Sequence, residues 1–145
     1  MTVLFQKLNP AACLPRRATL GSAGYDLCAC IERPLTVKPG QTVPVPTGLA
    51  MEIPAGYAGL IYARSGIAVK RGLAPANKVG VIDADYRGEI LVALYNQGTE
   101  PQSIEHGERI AQMNVTPYLT ADFVQADQLS DTVRGEGGFG STGRI

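Results

Sequence analysis

Apolar positions in this chain come in short runs, broken every few residues by glycine or proline. Apolar or alternating segments fall at residues 3–8, 41–45, 49–53, 58–62, 79–82, 89–95, 108–115 and 123–125. Short strands at roughly 8–12-residue spacing predict an all-β sandwich or barrel. In 89–95, Ile90, Val92 and Leu94 share one face and Leu91, Ala93 and Tyr95 the other. Both faces are apolar, so this strand is predicted to be covered on both sides, in part by another subunit. Ile110 and Gln112 likewise fall opposite Ala111, Met113 and Val115. Turn signals stand at residues 39–40, 96–98 and 106–107. The one helix predicted covers residues 65–71, with Ser65 as N-cap, Lys70 and Arg71 at the favourable C-terminal end, and Gly72 closing it.

Composition narrows the picture. At 145 residues, 45% of them hydrophobic, the chain suits one domain with its own core. Its formal net charge is zero, so no long-range field draws it to nucleic acid or an anionic membrane. A phosphorylated ligand must then be held by local groups. Cys13, Cys28 and Cys30 make no disulfide framework and read as reduced thiols. A single histidine excludes a histidine-rich metal site. The start does not read as a signal peptide and no stretch approaches a membrane span, so the expected location is cytoplasmic. Residues 134–145 contain five glycines around Phe139, with Arg134, Arg144, Ser141 and Thr142. That segment is too glycine-rich for a strand, but it has the parts of a clamp for phosphate and a base. The expected division is 1–133 as one catalytic β-domain and 134–145 as a flexible lid.

Four internal segments carry candidate chemistry. Arg64, Ser65 and the Gly66 N–H stand together at a helix start, where free N–H groups and a guanidinium suit an anion. Residues 79–82 run as a buried strand into Asp83. Asp85, Tyr86, Arg87 and Gly88 then turn the chain toward 89–95, which reads as a hairpin with two carboxylates, a phenol and a guanidinium at its mouth. A carboxylate at the end of a buried strand is held rigidly, as a general base requires. Residues 21–27 read as a small-residue loop presenting Asp26, which could assist a magnesium ion without defining a site. Gln112, on a mainly apolar strand, must find a partner in backbone, water or ligand.

Together these segments resemble the trimeric dUTPase family. Five short motifs occur in order: Ala23-Gly-Tyr-Asp-Leu27, Ala63-Arg-Ser-Gly-Ile-Ala68, residues 80–90, Gly107-Glu-Arg-Ile-Ala-Gln112, and residues 134–143. Ile67 stands where leucine is common and Glu108 where aspartate is common. The resemblance implies a distorted jelly-roll β-barrel with one short helix, assembled as a homotrimer with active sites between subunits. It implies hydrolysis of dUTP to dUMP and pyrophosphate with Mg2+, limiting uracil in DNA and supplying dUMP for dTMP synthesis. By the same resemblance, Asp83 activates the water that attacks the α-phosphorus and meets the 3′-hydroxyl, and Tyr86 packs on the deoxyribose. Asn77 and the backbone of residues 77–90, including Gly80 and Val81, pair with uracil. Arg64, Ser65, Gly66 and Gln112 hold the phosphates. Arg134 meets the γ-phosphate, Phe139 stacks on uracil, and Gly140, Ser141 and Thr142 complete the tail contacts. Asp26 acts through water around the magnesium. Deaminases of dCTP share the implied fold, but the segment from Asp83 to Gly88 and the tail favour the hydrolase.

Overall fold

A computed structural model describes residues 1–138. It contains β1 (Leu4–Lys7), β2 (Tyr25–Cys28), β3 (Leu35–Val37), β4 (Thr42–Pro46), β5 (Leu49–Glu52) and β6 (Tyr57–Tyr62). After α1 (Ser65–Arg71) come β7 (Leu73–Pro75), β8 (Gly80–Ile82), β9 (Leu91–Asn96), β10 (Gln102–Ile104) and β11 (Arg109–Pro117). All strand pairs are antiparallel and form four small sheets: β2-β11-β6-β8, β4-β9-β7, β1-β5 and β10-β3. The sheets share one apolar core, with Leu27, Ile61, Ile110 and Met113 from the first, Val45, Leu73, Val92 and Leu94 from the second, and Leu49, Val37 and Ile104 from the others. Its two buried polar side chains are satisfied. Asn96 donates to the Val37 and Glu100 carbonyls and accepts from the Gly98 N–H, while Thr47 donates to the Ile90 carbonyl.

The strongly patterned strands lie within a residue or two of their predicted positions. β2, β3, β7 and β10 were not legible, because three or four residues give no periodicity to read. β2 in particular makes Asp26 a strand residue rather than a loop residue. Residues 123–125 form no strand, since no neighbouring segment pairs with them and Phe123 is 99% exposed. In β9 only the face of Val92 and Leu94 is buried within the chain; Leu91, opposite, is 50% exposed.

The expected hairpin at residues 77–90 is also corrected. β8 pairs with β6, whereas β9 lies between β4 and β7. The segment from Asp83 to Ile90 is therefore a corner that carries the chain from one sheet to another. α1 spans the predicted residues, but Arg64, not Ser65, occupies the N-cap, and no side chain caps it. Gly72 ends α1 at φ +64, the left-handed region open to glycine, with its N–H on the Ala68 carbonyl. All three cysteines are free. Burial, helped by neighbouring Cys13, pushes the Cys28 thiol up to about 11, and burial followed by the Glu89 charge raises Cys30. Among the described residues no helix is long and apolar enough to cross a membrane.

Candidate active site

The phosphate-side candidates converge on the outer face of the four-stranded sheet. Asp26, Gln112 and Tyr62 are paired across β2, β11 and β6, so their side chains share one face. The Asp26 side chain is only 14% exposed and takes two guanidinium groups, Arg64 Nε at 2.7 Å on one oxygen and Arg109 at 3.2 Å on the other. Such charge-assisted bonds fix the first helical turn to β2. Arg109 was not singled out from the sequence. A β-bulge between Arg109 and Ala111 sets Arg109, in place of the buried Ile110, opposite Cys28 and within reach of Asp26. The signal was present in the sequence, in the Gly107-Glu-Arg motif, but the bulge that aims the side chain was not.

Gln112 finds a backbone partner: its Nε2 donates to the Ala63 carbonyl at 2.9 Å, one residue before the N-cap. Gly24 makes room for it, because a Cβ there would lie 2.3 Å from Gln112 Oε1. The first helical bond runs from the Ala68 N–H to the Arg64 carbonyl. The N–H groups of Ser65 and Gly66, both exposed, precede it and point out of the helix start. Motif residues from three distant segments thus build one electropositive corner.

The remaining candidates lie on the run from β7 to β9. Asn77 sits in the turn before β8, and a Cβ at Gly80 would come 3.4 Å from its Nδ2, so this amide lies beside the β8 edge. β8 is an outer strand of its sheet, with Val81 exposed, and leaves backbone donors and acceptors free for a ligand. Asp83 accepts the Tyr86 N–H at 3.2 Å through its carbonyl, which closes the corner and leaves the carboxylate exposed. The Tyr86 hydroxyl donates to the Glu89 carbonyl at 3.0 Å, across Gly88. A Cβ at Gly88 would lie 2.4 Å from that hydroxyl, so glycine is what lets the ring lie there.

One chain does not bring Asp83 to Arg64. β8 runs antiparallel to β6, with Gly80 opposite Ile61 and Ile82 opposite Gly59. Asp83 is therefore at the Ala58 end of β6 and Arg64 beyond its Tyr62 end. The separation along the strand is about 20 Å at ~3.4 Å per residue. Arg134, described in a local turn, donates to the Gly137 carbonyl at 2.7 Å. Phe139, Gly140, Ser141 and Thr142 lie outside the described residues. No three His, Cys, Asp or Glu side chains cluster to hold a metal among the described residues. Asp26 fits magnesium through water only: both oxygens already accept from arginine, yet each keeps a lone pair for a water.

Comparison with known proteins gives the family. The dUTPase family model matches residues 11–143. The deoxyuridine 5'-triphosphate nucleotidohydrolase of Desulfitobacterium hafniense is 55% identical over 142 residues, covering 97% of this chain and 94% of the relative. The Staphylococcus bacteriophage 80alpha dUTPase, solved with dUpNHpp, superposes with a TM-score of 0.89 at 29% identity, covering 98% of each chain. A dUTPase variant from phage phi11 of S. aureus, described with a coordinated structural Mg(II) ion, shares the fold at 24% identity and TM-score 0.80, over 88% of this chain and 98% of that one. With five motifs in order, an antiparallel β-fold that gathers three of them, and a family match over nearly its whole length, the chain belongs to the dUTPase family.

Proposed function

We infer that this protein hydrolyses dUTP to dUMP and pyrophosphate at sites assembled from more than one copy of the chain, a homotrimer of closed jelly-roll barrels. The family match carries the reaction. The placement of Asp83 and Arg64 at opposite ends of β6 carries the shared site, because a base that activates water at a phosphorus must lie within a few ångströms of the groups holding that phosphate.

In this reading one chain supplies the Arg64–Ser65–Gly66 corner, which binds the phosphate chain by guanidinium and backbone N–H groups. Asp26 and Gln112 set the corner's position: the carboxylate holds Arg64 and the amide holds the Ala63 carbonyl. A second chain supplies Asp83 as the base that takes a proton from the attacking water. Its Tyr86 ring packs on the deoxyribose, with Gly80, Val81 and Asn77 meeting the uracil edge. Uracil and cytosine present opposite donors and acceptors at position 4, so a backbone edge that pairs with one leaves buried groups unpaired with the other. The tail contacts of Arg134, Phe139, Gly140, Ser141 and Thr142 rest on the family resemblance. So does the role of residues 134–145 as a lid. Mg2+, when bound with the substrate, neutralises phosphate charge, and Asp26 would hold its water.

Other observations favour assembly. Leu91 is exposed on β9, whose other residues are buried or half-buried. Asn114 Oδ1, on the outer face of β11, is buried without a hydrogen-bond partner among the described residues.

The test is complementation. Asp83→Asn and Arg64→Gln chains, each inactive alone, are co-expressed and purified as mixed oligomers. In a symmetric trimer that contains both chains about one site in three then pairs an intact Asp83 with an intact Arg64, so about a third of wild-type dUTP turnover returns. Mixed oligomers as inactive as the parents would overturn the shared site while leaving the reaction itself, assayed on the wild type, untouched.

A further inference from the structure

One cationic cavity has no task in hydrolysis. It encloses about 630 Å³, within the range of small-ligand sites. Lys7, Arg16, Arg17 and Arg109 line it, against one carboxylate, Asp26. That carboxylate is already taken by Arg64 and Arg109. Lys7, Arg16 and Arg17 make no ion pair among the described residues. In a chain of zero formal net charge, this is a local excess and not the background. The fold holds the like charges together. The Arg16 carbonyl accepts the Asp26 N–H at 2.9 Å, a bridge on the free edge of β2. Arg16 therefore stands across β2 from β11 and Gln112, outside the phosphate corner. The Arg17 guanidinium donates to the Leu20 carbonyl at 2.9 Å and lies over the Tyr25 ring, 5.8 Å from its centroid.

We propose that this cavity is a second anion site, separate from the phosphate corner, that takes inorganic pyrophosphate. A cleft lined by one sign of charge focuses the field and concentrates counter-ions. Several cations on different segments suit an anion whose charge is spread over two phosphate centres, and guanidinium groups match phosphate oxygens. No aromatic ring lines the cavity, so nothing there stacks on a base, and an inorganic polyphosphate suits it better than a nucleotide. The choice of pyrophosphate rests on the proposed reaction, which releases it at the Arg64 corner. Asp26 joins the two places, with Arg64 on one carboxylate oxygen and Arg109 on the other. Pyrophosphate leaving the corner thus meets the cationic cavity on the other side of a single side chain.

The experiment is equilibrium dialysis of labelled pyrophosphate against the full-length protein saturated with dUpNHpp, which fills the substrate site. About one pyrophosphate per chain is expected to bind, with affinity that falls as salt is added. Arg16→Gln combined with Arg17→Gln should weaken it at least about tenfold. Lys7→Gln, on a different segment, should weaken it about threefold, so the test does not hang on one variant folding. In both variants dUTP turnover and far-UV circular dichroism should match wild type. Pyrophosphate excluded once dUpNHpp is bound would overturn the proposal, as would wild-type affinity in both variants. Sulfate displacing pyrophosphate at equal concentration would also overturn it. So would dUpNHpp affinity lost in step with pyrophosphate, since the cavity would then belong to the substrate site. Failure of the wild type to hydrolyse dUTP is a separate result, which would sink the reaction and not the binding measurement.

Discussion

Replacing Gly24 by alanine tests how the phosphate corner is held. The added Cβ would sit 2.3 Å from Gln112 Oε1, 3.1 Å from its Cδ and 3.2 Å from its Cβ. Carbon atoms prefer about 3.5–4.0 Å. Swinging the amide away relieves the first two contacts but not the third, since the Gln112 Cβ is fixed by β11. The swing also breaks the 2.9 Å bond to the Ala63 carbonyl. A lost hydrogen bond costs about 1 kcal/mol and a displaced rotamer about another. The shift of packed strands adds about 1 kcal/mol, and the lower chain entropy of alanine returns roughly 0.5 kcal/mol. The expected net is about 2–3 kcal/mol, measured by urea unfolding. Because Ala63 precedes the Arg64 N-cap, kcat/KM for dUTP should fall about tenfold to a hundredfold. The decisive control is a cycle with Gln112→Ala, in which only the 3.2 Å contact with the Cβ of residue 112 remains and Gly24→Ala should cost about 0.5 kcal/mol. An equal cost in both backgrounds would refute the contact as the cause.

Asp83→Asn should cut turnover by about 10²–10⁴-fold while the unfolding midpoint stays within about 1 °C, because the exposed side chain holds nothing in the fold. Gly72→Ala forces alanine to φ +64 and drives a Cβ to 2.8 Å from the Gly98 backbone nitrogen. It should destabilise by about 2–4 kcal/mol, read from the loss of far-UV signal in denaturant. The Cys28 thiol is raised to about 11. The unfolded chain therefore loses its proton first as pH rises above the ordinary thiol value, so this stabilisation is present below pH 9 and lost by about pH 11. Thermal unfolding of Cys28→Ala should decline less steeply than wild type across that window.

Much of the fold was legible because its longer strands carry strong patterns. The alternation through β9 and β11 and the apolar runs of β5 and β6 announce buried faces, and the helix showed its end in Gly72. β2, β3, β7 and β10 were not legible, for they are too short to show a period and owe their existence to neighbours. β7 even contains Pro75, which argues against a strand when read alone. The site divides the same way. Asp26, Arg64, Gln112 and Asp83 are recognisable by motif. The pairing of Asp26 with Arg109 depends on a bulge, and the distance from Asp83 to Arg64 depends on which strand β8 chooses. Both are tertiary choices that no local window contains.

The two ends of β6 separate being folded from being active. In the proposed shared site, with Asp83 as the base at one end and the phosphate corner at the other, each chain would carry halves of two different sites. A diluted, dissociated chain would keep its circular dichroism and its core while losing all turnover. Specific activity of this enzyme should therefore depend on concentration in a range where its secondary structure does not. An inhibitor could then work by holding copies apart, with no need to compete for the nucleotide.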